Sequence, residues 1–237
     1  MSFAGQVVSQ PVPVSSFLIP GATEYNPTPP PLATIIANIF PGAGTKVRFT
    51  KGLQSGVGTL VQHCTALTLA KSLKKMITIM HTFKTIATTL EEDEDEGQWS
   101  QRRKEIEKEV RRRVPDFQVI VAFSQQYWTS SEPQNTIQHA LLGESSQRLL
   151  WLYQECLSDL VREARFEVGK LVLTLAEDSL VPLSEHVKDR HQDIRKHSPL
   201  RIVKQLHVLR LLNASDQFTW SGKIGLCIPF ITLCQSQ

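Results

Sequence analysis

The chain has 237 residues, of which 41% are hydrophobic and 21% charged, enough apolar material for one large domain or a run of helical repeats. That composition excludes a chain disordered throughout, a collagen and a disulfide knot. The net charge of +3 is a sum of unlike blocks: residues 1–90 hold seven Lys/Arg and one acid, 91–100 hold six acids, and 101–113 hold seven bases against three acids. Such blocks belong to solvated connections and interaction surfaces rather than to a catalytic pocket, and a basic first third suits a polyanionic partner.

Eight of the thirteen prolines lie in the first 41 residues, including Pro29-Pro30-Pro31. Proline removes a backbone donor and restricts the residue before it, so residues 1–32 are predicted as an extended arm. Val12, Val14, Phe17, Leu18 and Ile19 are interleaved there, which predicts an arm laid along a surface. A short helix is expected over Ala33–Phe40. The opening MSFAGQVVSQPVPVSSF has no basic end followed by an apolar core, so no secretory signal is expected. No apolar run of about 18 or more residues is present, and no membrane partner is expected.

The spacing predicts helix from Val57 to Leu90. Leu60, Val61, Cys64 and Leu67 form one stripe, and Leu73, Met76, Ile77, Met80, Phe83 and Ala87 form a second. The stripes differ in phase by about 160°, so the chain bends near Thr68–Lys71 or one long helix buries opposite faces. The run Glu91–Glu96 reads as a mobile acidic loop. QRRKEIEKEVRRR, residues 101–113, reads as an exposed helix with only Ile106 and Val110 to bury. Pro115 fits the first turn of the next helix, with Phe117, Ile120, Val121 and Ser124 on successive turns. After a loop at 129–135, Glu144–Ala164 forms an amphipathic helix along Leu149, Tyr153, Cys156, Leu160 and Ala164, with Phe166–Leu175 as a further turn or two. Ser198-Pro199 starts a last helix, Leu200–Leu212, that is apolar on nearly every side and is therefore expected to be buried between neighbours. No strand alternation is present. The predicted fold is all-α, a HEAT/armadillo-like helical-repeat (α-solenoid) segment. Its divisions are an arm at 1–32, helical repeats at 33–90, the acidic loop at 91–100, further repeats at 101–223 and an apolar tail at 224–237.

Several constellations have the residue types for chemistry. Pro41-Gly42-Ala43-Gly44-Thr45-Lys46 has the flavour of a phosphate loop, but it lacks the Gly-Lys-Ser/Thr ending and reads as a Gly-rich turn. His186, Asp189, Asp193 and His197 would share a helical face able to bind zinc or manganese, yet Lys188, Arg190, Arg195 and Lys196 among them favour a solvated, salt-bridged segment. No nucleophile elbow and no assignable Ser/His/Asp set is present, so an enzyme is not expected. Cys64, Cys156, Cys227 and Cys234 form no CxxC pair and are expected to be buried, reduced thiols. Lys71, Lys74 and Lys75, with Lys46, Arg48 and Lys51, form the candidate surface for RNA phosphates. Arg111, Arg112 and Arg113 join them as candidate RNA or partner contacts, and with Arg102-Arg103-Lys104 resemble a loose bipartite import signal.

One ordered set of short words spans residues 29–223: Pro29-Pro30-Pro31-Leu32, Ile39-Phe40-Pro41, Phe49-Thr50-Lys51-Gly52-Leu53-Gln54, Leu60-Val61-Gln62-His63-Cys64-Thr65-Ala66-Leu67, Val114-Pro115-Asp116-Phe117-Gln118, Phe166-Glu167 with Lys170-Leu171, Gln205-Leu206-His207 and Gln217-Phe218-Thr219-Trp220. Together they resemble the nucleolar pre-ribosomal-associated protein family, also called the unhealthy-ribosome-biogenesis family, in its amino-terminal to central HEAT-repeat region. The resemblance implies a non-enzymatic scaffold of the nucleolus, within the nucleus, in early precursors of the large ribosomal subunit and in pre-rRNA processing. Ribosome assembly factors and pre-rRNA are the implied partners; no cofactor, metal, membrane or small-molecule substrate is implied. Members of that family are far longer, so the chain is expected to be a fragment, and the tail after Lys223 matches none of its words. The alternative is a general helical-repeat protein–protein adaptor outside the ribosome pathway.

Overall fold

The computed structural model describes residues 6, 8–42, 45–127, 137–164, 166 and 199–215, and among these it is all-helical. Eight α-helices follow in order: α1 (Leu32–Ile39), α2 (Lys46–Leu53), α3 (Thr59–Thr89), α4 (Gln98–Arg113), α5 (Phe117–Gln126), α6 (Ile137–Cys156), α7 (Ser158–Glu163) and α8 (Pro199–Ala214). The loop expected at 129–135 and the divisions from 167 to 198 and after 215 lie outside the described residues, as do Cys227 and Cys234.

The described part of the Pro-rich arm has helical positions at 6, 8 and 9, a 3-10 turn at Val14–Phe17 and an isolated bridge between Leu18 and Tyr25, and is otherwise irregular. Phe17 is its anchor. Its ring meets Phe83 edge-on at 5.4 Å and Trp99 at 5.9 Å, so the arm closes the groove between α3 and α4. The indole Nε1–H of Trp99 donates to the Asn26 carbonyl at 3.1 Å, which satisfies its one polar group and ties down the arm a second time.

Helix α3 is a single helix of 31 residues that buries one face, along Gln62, Ala66, Leu69, Ala70, Leu73, Met76, Ile79, Phe83 and Ile86. The second predicted stripe lies largely on that face, but the first does not: Leu60 is 74% and Val61 50% exposed, and Cys64 is exposed too. The two-faced helix and the buried Cys64 thiol are therefore corrected. The physical reason is Gln62. Its amide donates to the Gln54 carbonyl at 2.8 Å and accepts from the Tyr127 hydroxyl at 2.5 Å, so a polar residue satisfied on both sides takes the inward position.

The acidic run after α3 is a built connection. Leu90 ends the helix and Glu91 takes a left-handed conformation (φ +53°), while Glu91 N–H reaches Thr88 O at 3.2 Å and Glu92 N–H reaches Ala87 O at 3.0 Å. This is a Schellman-type end with a glutamate where glycine is the usual residue. The Asp93 carboxylate accepts from the amides of Asp95 and Glu96, and those two bonds hold it below the ordinary carboxylate range. The Glu92 carboxylate accepts from Trp99 N–H at 2.9 Å, in the first turn of α4. Residues 91–97 form this hydrogen-bonded turn, and α4 starts at Gln98, inside the span expected as the acidic loop.

Helix α6 starts seven residues before the predicted Glu144 and ends at Cys156, with Leu157 breaking the path into α7. It is buried nearly all round over Leu142–Gln147 and Leu149–Leu150, because α3, α5 and α8 surround it. Helix α8 buries Val208, Leu211 and Leu212 against α6 while Ile202 and Leu206 stay exposed, so among the described residues it is covered on one side, where burial between neighbours was expected. Pairings fix the directions. Thr59 bonds Gln138 and His63 contacts Ser145; Glu144 bonds His207 and Gln154 bonds Ala214. Helices α3, α6 and α8 therefore run the same way, and α4 and α5 together return from Phe83 to Gln62.

Candidate nucleic-acid interface

The sequence-predicted cations divide into three structural groups. Lys46, Arg48 and Lys51 sit on α2, where the Lys46 ammonium pairs with Asp116 at 2.6 Å. That bond places the start of α2 beside the end of α4, three residues after the Arg111–Arg113 run. The phosphate-loop reading of Lys46 loses its cation to this carboxylate. Arg48 and Lys51 are exposed.

Arg111, Arg112 and Arg113 form the last turn of α4, where cations complement the helix's carbonyl end. Each has a carboxylate partner: Arg111 with Glu163 of α7, and Arg112 and Arg113 with Glu109 at 3.7 and 2.9 Å. Glu163 raises the Arg111 guanidinium further. Exposed pairs of this kind add little stability, but they occupy the arginines.

On α3 the predicted trio separates. Lys74 is exposed, Lys71 is half-buried and Lys75 is buried at 8% exposure, with desolvation lowering its pKa. Lys75 therefore leaves the candidate surface: at 100° per residue it lies about 100° from Lys74, toward the face that carries Ser72 and Ile79 inward. Two residues that sequence reasoning did not select, His81 and Lys84, share the exposed face with Lys74. The absence of any Asp or Glu between Thr59 and Thr89 was the signal that could have found them.

A second constellation, unseen in the sequence, is the buried polar node between α6 and α8. Glu144, on a nearly inaccessible side chain, bonds His207 Nε2 at 3.0 Å and Arg148 Nε at 2.9 Å. Burial pushes the Glu144 carboxyl up, but the His207 hydrogen bond and the Arg148 charge outweigh it and hold the group below its ordinary value. The His207 ring stacks on Trp151 at 5.6 Å, and the Arg210 guanidinium lies 4.9 Å from the Trp151 ring centre. Ser145 Oγ is 3.3 Å from His63 Nδ1 and 3.5 Å from Glu144 Oε2. These are the residue types of a hydrolytic triad, but the carboxylate is committed to His207 and Arg148 rather than to the imidazole beside the serine. The node's visible work is to join α6 to α8.

Among the described residues no group of three or more His, Cys, Asp or Glu is placed to hold a metal ion. His186, Asp189, Asp193 and His197 lie outside the described residues. Cys156 is half-buried, its thiol donating to the Leu152 carbonyl and its pKa raised by desolvation, and neither it nor Cys64 is disulfide-bonded. No described helix is long and apolar enough to cross a membrane. Two shallow grooves are present. One, of about 340 Å³, lies between α1 and α4, lined by Leu32, Ile36, Phe40, Glu109 and Arg113. The other, of about 330 Å³, lies between α2 and α5. Comparison with family models, curated proteins and solved structures found no match.

Proposed function

We propose that the chain is a non-enzymatic helical-repeat scaffold in ribosome biogenesis, working in the nucleolus on early large-subunit precursors and binding assembly factors and pre-rRNA. The observation that carries this reading is the ordered set of words from Pro29 to Trp220. Its support from the fold is that several of the words meet one another in space. Gly52 of one packs on Thr65 of the next, Gln54 and Gln62 are hydrogen-bonded, and the Phe117 ring meets Phe166 edge-on at 5.4 Å. Words that interlock behave as one structural signature. The common direction of α3, α6 and α8, with returning helices between α3 and α6, agrees with stacked helical hairpins of solenoid type.

Affinity purification of the tagged chain from nucleolar extract tests the reading. Large-subunit precursor RNA and assembly factors should co-purify and co-sediment with it; recovery of neither overturns it. A second reading, a protein–protein adaptor outside the ribosome pathway, is favoured by the exposed Leu60, Val61, Ile137 and Ile202 at the common starting end of α3, α6 and α8. Cytoplasmic retention that is insensitive to ribonuclease would select that reading.

A further inference from the structure

Helix α3, like the shorter α2 and α8, is a cationic helix without a single Asp or Glu. Its 31 residues hold four lysines and two histidines and no acid. Elsewhere Lys46, Arg102, Lys104, Arg111, Arg112, Arg113, Arg148 and Arg162 each lie against a carboxylate. Among the described residues no carboxylate pairs with the ammonium groups of Lys71, Lys74 or Lys84. A helix without acids cannot supply i,i+4 partners, and among the described residues no neighbouring element brings one.

The placement of these cations follows from the helix. The buried face runs through Leu69, Leu73, Met76, Phe83 and Ile86, and Lys74 sits opposite it. Lys71, Lys74, His81 and Lys84 fall within an arc of about 140° and span about 20 Å of helix axis. Between them the exposed positions are threonines whose hydroxyls are already committed to the main chain: Thr78 to Lys74 O, Thr85 to His81 O and Thr88 to Lys84 O. The donors left facing solvent are therefore the cations themselves.

We propose that this face of α3, Lys71–Lys74–His81–Lys84, binds the phosphodiester backbone of nucleic acid without reading its bases. That RNA is the cellular occupant rests on the ribosomal reading above. An acidic protein partner is disfavoured because no large apolar side chain is exposed on α3 beyond Val61. Protein interfaces need a buried apolar centre as well as charge, whereas backbone binding of nucleic acid needs spaced cations alone. No Phe, Tyr or Trp lies on the face, and His81 is its one ring able to stack a base, so sequence preference is not built in.

Fluorescence anisotropy with labelled oligouridylate and oligoadenylate over a salt series tests this on the full chain. Binding should weaken with a slope of about −2 in log K against log salt, as three lysines on single-stranded phosphates require. The triple variant Lys71→Gln/Lys74→Gln/Lys84→Gln should lose at least about tenfold in affinity at low salt and flatten the slope, equally for both oligomers. Lys74→Arg/Lys84→Arg should retain binding, and Arg112→Gln should change it less than about twofold. Absence of binding by the unmodified chain, an unchanged triple variant of native helicity, a loss confined to one oligomer, or competition by polyglutamate as strong as by RNA overturns the proposal. Loss of precursor recovery with RNA binding intact would instead count against the ribosomal reading alone.

Discussion

Gly52 sets how closely α2 approaches α3. A Cβ at this position would come within 2.8 Å of Thr65 Cγ2 and closer still to Oγ1, and Thr65 is itself fixed by a 2.7 Å bond to the Val61 carbonyl. Gly52→Ala should therefore destabilise by about 1–3 kcal/mol in chemical denaturation. Adding Thr65→Ala should recover part of the loss, and a double-mutant cycle showing simple additivity would dismiss the contact. Glu144 is a residue of the opposite kind, polar and enclosed. Glu144→Ala leaves Arg148 and His207 without their acceptor and should cost about 3 kcal/mol. Because the fold holds this carboxyl below its ordinary value, its contribution is full above the unfolded carboxylate pKa of about 4.3 and is lost as pH falls through the depressed folded value. Denaturant midpoints of Glu144→Gln should accordingly fall less on acidification than those of the unmodified protein.

At the scale of elements, the turn from α3 to α4 shows a local cost kept inside a sequence of strong charge. A left-handed glutamate is strained by about 1–2 kcal/mol relative to a right-handed one, part of which glycine would recover. Glu91→Gly should raise the thermal midpoint, with a gain of about 0.5–1 kcal/mol, whereas Gly97→Ala should lower it because its Cβ would meet the Asp93 carbonyl at 2.6 Å. How far such elements were legible depends on where their partners lie. The second stripe of α3, the thin seam of Ile106 and Val110 in α4 and the helix after Pro115 follow from period alone. The helix at Pro199 follows instead from its Ser-Pro start. What period missed was set at long range. Gln62 turns inward because Gln54 and Tyr127 satisfy it, and that outranks Leu60 and Val61. The middle of α6 is polar in sequence and buried in space because Glu144 and Gln147 find partners on α8 and α5, as Gln154 near its end does on Ala214 of α8. The candidate surface was half legible: a run of lysines marks it, but only the burial of Lys75 and the carboxylates beside the arginines show which cations remain available.

At the scale of the whole molecule, α6 is a hub of the described helices, since α3, α5, α7 and α8 all pack on it. Leu149, fully buried in its middle, is the side chain whose loss should be felt throughout. Leu149→Ala should cost about 2–5 kcal/mol. The fall should be seen alike by far-UV circular dichroism and by tryptophan fluorescence, since Trp99 reports on the α3–α4 groove and Trp151 on the α6–α8 contact. Separated transitions would mean that the two halves melt independently.

The shared direction of α3, α6 and α8 has one more effect. In an antiparallel bundle the peptide dipoles of neighbours cancel; here three of them point the same way. With about half an elementary charge at each helix terminus, the amide ends of the three together carry about +1.5, and the carbonyl ends the opposite. The returning α4 and α5 offset part of this, and what remains is an axial polarisation of the backbone that no titration of side chains would erase.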